Sequence, residues 1–391
     1  MVGCVQHGYV QLDRPPATLI EWRHSGHRLG YVRAIVDAAA RHGLDLEILT
    51  QAAVLESDEW TVHMGDVSNV VVQTLPSERF GAMRLPGLLR RQRAAGRAVI
   101  IPEVDRALHG IVVAFLTRRL PRPTTVIAMR PPLWSSPKTW PQSIAKIAAL
   151  RLLSAARGVN VLLLEDPLAS DRTRVWRWPL GAAAQRLDDP ADPPSESGEL
   201  PLELSDLPEG AHLFAIAGSI DARKRVPLVL DGWALRRERD DCTLVIAGDH
   251  HPSVRQIVVD HPCASRGDVK VINRYLSYAE HAAVIDRSTA LFVLFDGGLS
   301  SGTLISAARS GRWAITAAGG RPSEVAVEQG FGVETELTPD GICGSVEAVL
   351  TKTALPDPVA VAGREKFGDR ILDMTGRFAN GGPSSSTRMV E

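Results

Sequence analysis

The chain has 391 residues, 45% of them hydrophobic and 23% charged, which is typical of a soluble globular protein with room for two domains. It has no apolar run of about 18 residues and no basic and apolar leader, so we expect neither a transmembrane segment nor a secretory signal. The four cysteines are far apart and lack C-x-x-C spacing. That spacing argues against a disulfide scaffold and favours a reducing, cytoplasmic location.

The formal net charge of -1 conceals two halves of opposite sign. Residues 1–185 contain 23 Lys+Arg and 15 Asp+Glu, a balance of +8, and residues 186–391 contain 21 and 30, a balance of -9. The halves therefore suggest two units with different partners, and the basic half favours an anionic one.

Apolar and helix-like segments alternate through the first half. Alternation of strand and helix, with strands apolar throughout, predicts a parallel sheet covered on both faces. The predicted strands span 17–22, 45–50, 97–105, 124–129 and 159–166, and the predicted helices span 27–43, 107–119 and 142–156.

A stretch rich in Pro, Ser and acidic residues, 186–210, predicts a linker. The same alternation starts again after it and predicts a second parallel sheet. Its predicted strands span 211–218, 242–248, 268–276, 289–295 and 312–320, and its predicted helices span 225–237, 252–261, 278–286, 302–310 and 323–329. The predicted domains are thus 1–185 and 211–356, followed by a helix-bearing segment at 357–380 and a disordered tail at 381–391.

Two loops that follow predicted strands contain residues suited to an anion. Ser219, Arg223 and Lys224 follow one strand, and the small residues 300–303 follow another and start a predicted helix. Backbone N–H groups and the helix dipole favour anions at such a position. A solvated loop, or ordinary N-capping by Ser and Thr, explains each loop separately. Two such loops in corresponding places of one α/β domain favour a shared phosphate ligand.

Residues 211–335 resemble the C-terminal half of nucleotide-sugar glycosyltransferases of the GT-B fold, in the large and mostly retaining group-one family. The resemblance rests on "LFAIAGSIDARKRVPLVLDGW", "CTLVIAGDHH", "RYLSYAEHAAVIDRSTALFVLF", "SSGTLISAARSGRWAIT" and "GGRPSEVAVEQGFG". The first half is similar more weakly, through "LIEWRHSGHRLGYVRAIVDAAARHG". The resemblance implies two Rossmann-like parallel-sheet α/β domains that face each other across a cleft, with the helix in 357–380 returning to the first domain.

The resemblance also implies a reaction. A sugar would pass from a nucleoside diphosphate donor to an unidentified acceptor, with retention, and with no cofactor or metal because cations and a helix end neutralise the leaving diphosphate. It implies diphosphate contacts from Ser219, Arg223, Lys224, Ser300, Ser301, Gly302 and Thr303, and nucleoside contacts from Asn273, Arg274, Tyr275 and Leu276.

The first domain would bind the acceptor, and its loops supply the remaining candidates. Two histidines stand in the first strand-to-helix loop, and two carboxylates stand at the end of the predicted strand at 97–105; structural histidines and a helix cap explain them equally well. Another candidate stands where many family members have a histidine near the anomeric centre. The catalytic candidates are His27, Glu103 and Arg130, and the acceptor candidates are His24, Gly26 and Asp105.

The chain departs from the family at the paired glutamates, whose positions here hold Gly298 and Ser306. Arg225 stands where a glycine often follows the motif lysine. These departures leave open a catalytically degenerate protein that binds a ligand or acts as a partner subunit. A sugar-nucleotide epimerase would need a cluster of carboxylates and a histidine that the sequence does not reveal.

The basic segment 84–97 contains five arginines and no acid. It is either a solvated loop or a contact with an anionic membrane surface or acceptor. We therefore expect a nucleotide-sugar donor and an anionic or membrane-borne acceptor as partners, with peripheral membrane association as one possibility, and we expect no nucleic acid. The histidines of "GDHH" (248–251) lack a third ligand at suitable spacing, so no metal site is expected.

Overall fold

Contacts divide the chain into two compact units. Unit 1 comprises residues 1–164, 178–187 and 365–391, and unit 2 comprises residues 165–177 and 188–364. The domain boundaries that we placed at 185, 210 and 356 stay predictions. The structure, a computed structural model, describes residues 16–22, 28–68, 70–75, 84–129, 140–169, 184–190, 199–208, 210–237, 241–295 and 301–376.

Unit 1 is built on a seven-stranded sheet in the order β3-β2-β1-β4-β5-β6-β7, in which all neighbours from β3 to β6 are parallel. Its central strands are buried along their whole length, as expected for parallel strands covered on both faces. The strands are β1 (Ala17–Ile20), β2 (Leu46–Thr50), β3 (Val71–Thr74), β4 (Ala98–Ile101), β5 (Thr124–Ala128), β6 (Val159–Glu165) and β7 (Ala184–Asp188).

The helices of unit 1 form two layers, because a right-handed crossover places its helix on a face that depends on the direction of travel across the sheet. From β1 to β3 the chain moves towards one edge of the sheet, and from β3 to β6 it moves towards the other edge. Helices α1 to α3 therefore cover one face of the sheet, and α4 to α6 cover the opposite face. The helices are α1 (Arg28–Arg41), α2 (Ala52–Leu55), α3 (Asp58–Met64), α4 (Leu85–Ala94), α5 (Leu108–Leu116), α6 (Trp140–Ser154) and α13 (Arg364–Gly376).

The C-terminal helix α13 packs on α1. The rings of Tyr31 and Phe367 are stacked with centroids 5.1 Å apart, and Asp369 accepts a hydrogen bond of 2.8 Å from Arg41. Residues from more than 300 positions apart along the chain therefore share one core.

Unit 2 has a six-stranded, wholly parallel sheet in the order β10-β9-β8-β11-β12-β13. The strands are β8 (His212–Ala217), β9 (Cys242–Gly248), β10 (Val269–Asn273), β11 (Ala290–Val293), β12 (Trp313–Ala317) and β13 (Gly332–Thr335). The helices are α7 (Val226–Ala234), α8 (Pro252–Asp260), α9 (Tyr278–Arg287), α10 (Gly302–Arg309), α11 (Arg321–Glu328) and α12 (Pro339–Leu350).

The two sheets confirm the predicted pair of parallel α/β units, and every predicted strand and helix is present with shifted ends. The sequence interpretation missed three strands and four helices. One of these helices is α4, which occupies much of the segment interpreted as a basic loop. The missed elements are β3, β7, β13, α2, α3, α4 and α12.

Candidate functional site

The strand order of unit 2 reverses direction between β8 and β11. The chain runs from β8 outward to β10 and then returns to β11 on the other side of β8. Ligands of doubly wound sheets bind at the carboxyl ends of the strands beside such a switch point, because the two following loops diverge there. The loops after β8 and β11 are the two loops for which the sequence predicts a diphosphate site.

Lys224 joins these two loops. Its ammonium group donates to the carbonyl of Ala217 at the end of β8 (3.2 Å) and to the hydroxyl of Thr303 at the start of α10 (3.3 Å). Burial lowers the pKa of Lys224 to about 8, against a smaller raising effect of Asp221. Within the described part of the chain no carboxylate forms an ion pair with this lysine, and both of its hydrogen-bond acceptors are neutral.

The start of α10 has the polarity that an anion needs. Ser301 caps the helix, since its hydroxyl accepts a 3.2 Å hydrogen bond from the Leu304 N–H. Gly302 and Thr303 are the first helical residues, and N–H groups of a first turn have no partner within their own helix. The side chains of Ser301 and Thr303 are 6% and 7% exposed. Ser300, the remaining candidate of this loop, lies outside the described residues.

The other two diphosphate candidates are on the surface. Ser219 is exposed. Arg223 is also exposed, and its guanidinium is held by Asp221 with N–O distances of 2.6 and 2.9 Å. Its hydrogen bond with Asp221 raises the pKa of Arg223. Because Arg223 already has a carboxylate partner, Lys224 is the cation of this loop that an incoming phosphate would neutralise.

The nucleoside candidates follow β10. Asn273 is exposed and accepts a 3.2 Å hydrogen bond from the His250 N–H, whereas Leu276 is buried in the core of unit 2. Arg274 donates to Glu203 at 2.8 and 2.9 Å and to Glu280 at 2.6 and 3.0 Å.

Arg274 therefore acts as a clamp within unit 2. Its hydrogen bonds with Glu203 and Glu280 raise its pKa further above the usual range of arginine. The main chain of Tyr275 also accepts from it, at 3.4 Å. These contacts fix the shape of the loop after β10, and direct contacts of this loop with a base stay predictions.

Two departures from the family have structural consequences. Arg225 has a φ of 52°, a left-handed conformation that glycine adopts without steric cost and other residues do not. Its side chain donates to the carbonyl of Leu294 after β11 (3.1 Å), so this arginine ties the two loops together. Ser306, at one glutamate position, is 2% exposed, and its hydroxyl has no hydrogen-bond partner among the residues that the structure describes. Gly298, at the other, lies outside the described residues.

In unit 1 the strand order reverses between β1 and β4. Glu103, after β4, is 2% exposed and forms an ion pair with Arg28 at the start of α1 (2.8 Å). Asp105 accepts from the Met129 N–H (2.9 Å) and pairs with Lys146, so it connects the ends of β4 and β5 to α6. The sequence therefore predicted two carboxylates at the switch point of this sheet. His24, Gly26, His27 and Arg130 lie outside the described residues.

Sequence reasoning missed three charged groups at the same edge of the seven-stranded sheet. Glu21 follows β1, Arg28 begins α1 and Glu165 ends β6, and the three are 3%, 8% and 4% exposed. Within the described ranges, a terminal amino group of Arg28 has no hydrogen-bond partner. The available signal was their place directly after apolar strands, which was overlooked because such charges usually remain in solvent.

Neither a protein-family profile nor a curated protein sequence matches the chain. Solved structures do match it across both units, with 462 matching chains, and they define the GT-B fold. HepE of Anabaena (Alr3699), solved with UDP and glucose, is 14% identical, with 94% of this chain and 98% of that chain covered and a TM-score of 0.60.

Two further similar structures belong to different enzymes. Sucrose-phosphate synthase of Thermosynechococcus elongatus is 14% identical, with 94% and 97% coverage and a TM-score of 0.57. UDP-GlcNAc 2-epimerase of Methanocaldococcus jannaschii is 12% identical, with 92% and 99% coverage and a TM-score of 0.61. The chain therefore has the fold shared by GT-B glycosyltransferases and sugar-nucleotide epimerases, which confirms the fold class and the resemblance found in the sequence.

Among the described residues, no group of three or more His, Cys, Asp or Glu side chains is arranged to hold a metal ion. In the same part of the chain, no helix is long and apolar enough to cross a membrane.

Proposed function

We propose that the protein binds a nucleotide sugar at the switch point of unit 2 and transfers the sugar to an acceptor. The observation that carries this proposal is the position of the Lys224 ammonium group, 3.3 Å from the Thr303 hydroxyl and 3.2 Å from the Ala217 carbonyl. A partly buried cation with neutral partners, beside the start of a helix, suits a diphosphate. The solved GT-B structures with UDP support uridine as the base.

The same groups would assist the chemistry. As the bond between the sugar and the diphosphate breaks, negative charge accumulates on the leaving oxygen. Lys224 and the N–H groups of Gly302 and Thr303 would stabilise that charge without a metal, because they are already oriented before the reaction. We propose retention of configuration on the resemblance to the mostly retaining family.

The catalytic and acceptor roles in unit 1 also stay proposals. The carboxylate of Glu103 is held by Arg28 and is therefore a fixed hydrogen-bond acceptor for a hydroxyl group. We propose that it orients the acceptor together with Asp105, and that His24, Gly26 and His27 belong to the same acceptor site. Arg130 is proposed as the replacement for the family histidine.

Calorimetry with UDP tests the donor site. Lys224→Ala should weaken UDP binding by about 1.5–3 kcal/mol, the range for hydrogen bonds to a charged group. Lys270→Ala is a matched control, because Lys270 belongs to the same unit and pairs with Asp206. Unchanged affinity in folded Lys224→Ala would remove this lysine from the site.

The buried carboxylates of the seven-stranded sheet favour epimerisation as a second candidate. Glu21, Glu103 and Glu165 all stand at the carboxyl ends of strands, where sheets of this type bind ligands. Incubation with a panel of sugar nucleotides separates the reactions: transfer or hydrolysis releases a nucleoside diphosphate, whereas epimerisation converts the sugar nucleotide with no net release. UDP binding without either product would identify a catalytically degenerate protein.

We also propose that the protein works in the cytoplasm. Cys242, Cys263 and Cys343 are free thiols, which suits a reducing compartment. The acceptor is proposed to be anionic or membrane-borne because of the basic charge of the first half.

A further inference from the structure

The two helix layers of unit 1 differ in charge. Residues 84–157, which include α4, α5 and α6, contain 14 Lys+Arg and two acids, a balance of +12. Residues 16–75, which include α1, α2 and α3, contain four Lys+Arg and eight Asp+Glu, a balance of -4. One face of the sheet is therefore strongly basic and the opposite face is mildly acidic.

Few acidic side chains of residues 84–157 are placed to balance the charge of the arginines in this basic layer. Its two acids, Glu103 and Asp105, have side chains only 2% and 7% exposed, and both form ion pairs within the unit. Ten arginines of residues 84–157 are exposed. Among the described residues of this segment no acidic side chain is exposed to balance them.

The arginines concentrate at one edge of the layer, where α4, α5 and α6 end and turn towards the next strand. We call this edge the basic edge. The guanidinium of Arg93 donates to the carbonyl of Arg118, which brings the ends of α4 and α5 together. The turns after α5 and α6 also lie side by side, because a Cβ built on Gly158 would be only 3.1 Å from the side chain of Arg122. The basic edge is represented by the exposed Arg91, Arg93, Arg118, Arg119, Arg151 and Arg157.

Large apolar side chains are exposed in the same layer. Leu116, at the end of α5, is 64% exposed, and Leu152, in the last turn of α6, is 39% exposed. Val113 and Ile144, further along the same helices, are 48% and 57% exposed. Cations at helix ends are explained in part by the helix dipole, but the dipole does not explain exposed leucines beside them.

We propose that the basic edge docks unit 1 on an anionic lipid bilayer. Arginines would contact lipid phosphates, and Leu116 and Leu152 would enter the boundary between headgroups and acyl chains. A nucleic acid would satisfy the arginines but would leave these aliphatic side chains without apolar partners. The amino ends of the strands lie at this edge, so docking leaves the carboxyl ends of the same sheet free to bind a substrate.

Vesicle flotation tests the proposal. The full chain should float with vesicles of phosphatidylcholine and phosphatidylglycerol and not with pure phosphatidylcholine, and about 1 M salt should reduce the bound fraction. Reversing two charges with Arg91→Glu and Arg119→Glu should lower partitioning at least about tenfold. Leu116→Ser with Leu152→Ser should also lower the partitioning into vesicles. The loss caused by these apolar changes should depend less on the salt concentration than the loss caused by the charge reversals.

The matched control reverses two charges on the opposite face of the same sheet. Lys366 and Arg370 are exposed on α13, and Lys366→Glu with Arg370→Glu makes the same change in net charge. This control should keep vesicle binding near that of the unaltered protein. Circular dichroism spectra and unfolding midpoints close to those of the unaltered protein show that the three double variants are folded. UDP affinity should stay unchanged in all three, which separates this proposal from the proposed function.

Four results would overturn the docking surface. The first is equal flotation with neutral and anionic vesicles, and the second is a loss of vesicle binding in the α13 control as large as that in the arginine variant. The third is unchanged vesicle binding in the leucine variant. The fourth is tighter binding to a DNA duplex than to anionic vesicles. The last result would make the basic edge a nucleic-acid surface instead.

Discussion

Lys224 is the residue on which most of the functional argument depends. Burial lowers the pKa of Lys224 because it disfavours the charged ammonium group. A bound anion would favour that charged form again, so the ammonium group and the anion would stabilise each other. The unusual feature is its set of hydrogen-bond partners, which among the described residues are one carbonyl and one hydroxyl, with no carboxylate. A structural lysine in such a position would normally be paired with an acid.

The pKa of Lys224 predicts how UDP affinity depends on pH. Below about pH 8 the free protein already has the charged ammonium group, and above it a proton must be taken up for binding. The dissociation constant at pH 9 should therefore be about ten times that at pH 7. Lys224→Met, measured by the same calorimetry, should bind weakly and with a flatter profile. An equal rise in the variant would assign the titration to another group.

The backbone conformation of Arg225 leads to a prediction about the stability of unit 2. Its left-handed backbone disfavours side chains, but its guanidinium also contacts the Leu294 carbonyl. Arg225→Ala loses the contact and keeps the strain, whereas Arg225→Gly loses the contact and relieves the strain. Glycine should therefore be more stable than alanine here by about 1 kcal/mol, measured by urea unfolding. Greater stability of the alanine variant would contradict the backbone argument.

Helix α10 has a capped first turn that we also propose as part of the phosphate site. The cap from Ser301 to Leu304 stabilises the helix, and the N–H groups of Gly302 and Thr303 are available to a phosphate. A serine is suitable because it caps without a charge. Aspartate would cap equally well but would repel the diphosphate.

Substitutions at this turn separate the two roles. Ser301→Asp should keep the stability within about 0.5 kcal/mol of the original, since Asp and Ser cap similarly, yet weaken UDP binding. Gly302→Val should abolish binding by blocking the approach of phosphate to the backbone. Ser306→Ala is the control, because its buried hydroxyl has no partner and its removal should leave UDP affinity unchanged. Tight UDP binding by Gly302→Val would exclude α10 from the site.

The whole of unit 1 depends on residues from the two ends of the chain. A Cβ built on Gly368 of α13 would lie 2.1 Å from the Ala34 carbonyl of α1, so the two helices approach each other more closely than a larger residue allows. Around this contact Phe367, Ile371 and Leu372 are almost completely buried. The last helix is therefore part of the core of the first unit.

This contact predicts a selective loss of stability. Gly368→Ala should destabilise unit 1 by about 1–3 kcal/mol, because overpacking forces the helices apart. Gly363→Ala should have little effect, since a Cβ there would meet no atom within 4 Å. Chemical unfolding followed by circular dichroism, with UDP binding as a readout for unit 2, would test this. Equal midpoints for the two variants would mean that the close approach has no energetic importance.

The parallel α/β organisation and the two loops of the proposed donor site could be predicted from the amino-acid sequence of the molecule. Both are local signals: buried parallel strands are continuous apolar runs, and the phosphate loops are short clusters of small and basic residues. Edge strand β3 and the short helices α2 and α3 were missed, because short segments with exposed residues leave weak patterns. The segment 84–97 was ambiguous for the same reason, since its apolar residues are few.

The contacts between distant groups could not be predicted from the sequence, because they depend on tertiary packing. Strand order is set by packing between distant segments, so the sequence could not place Lys224 against Thr303, nearly 80 positions away. The same applies to the clamp of Arg274 by Glu203 and Glu280 and to the pairing of Arg28 with Glu103. The charge difference between the two faces of unit 1 is also hidden in sequence, because crossover direction, not composition, assigns each helix to a face.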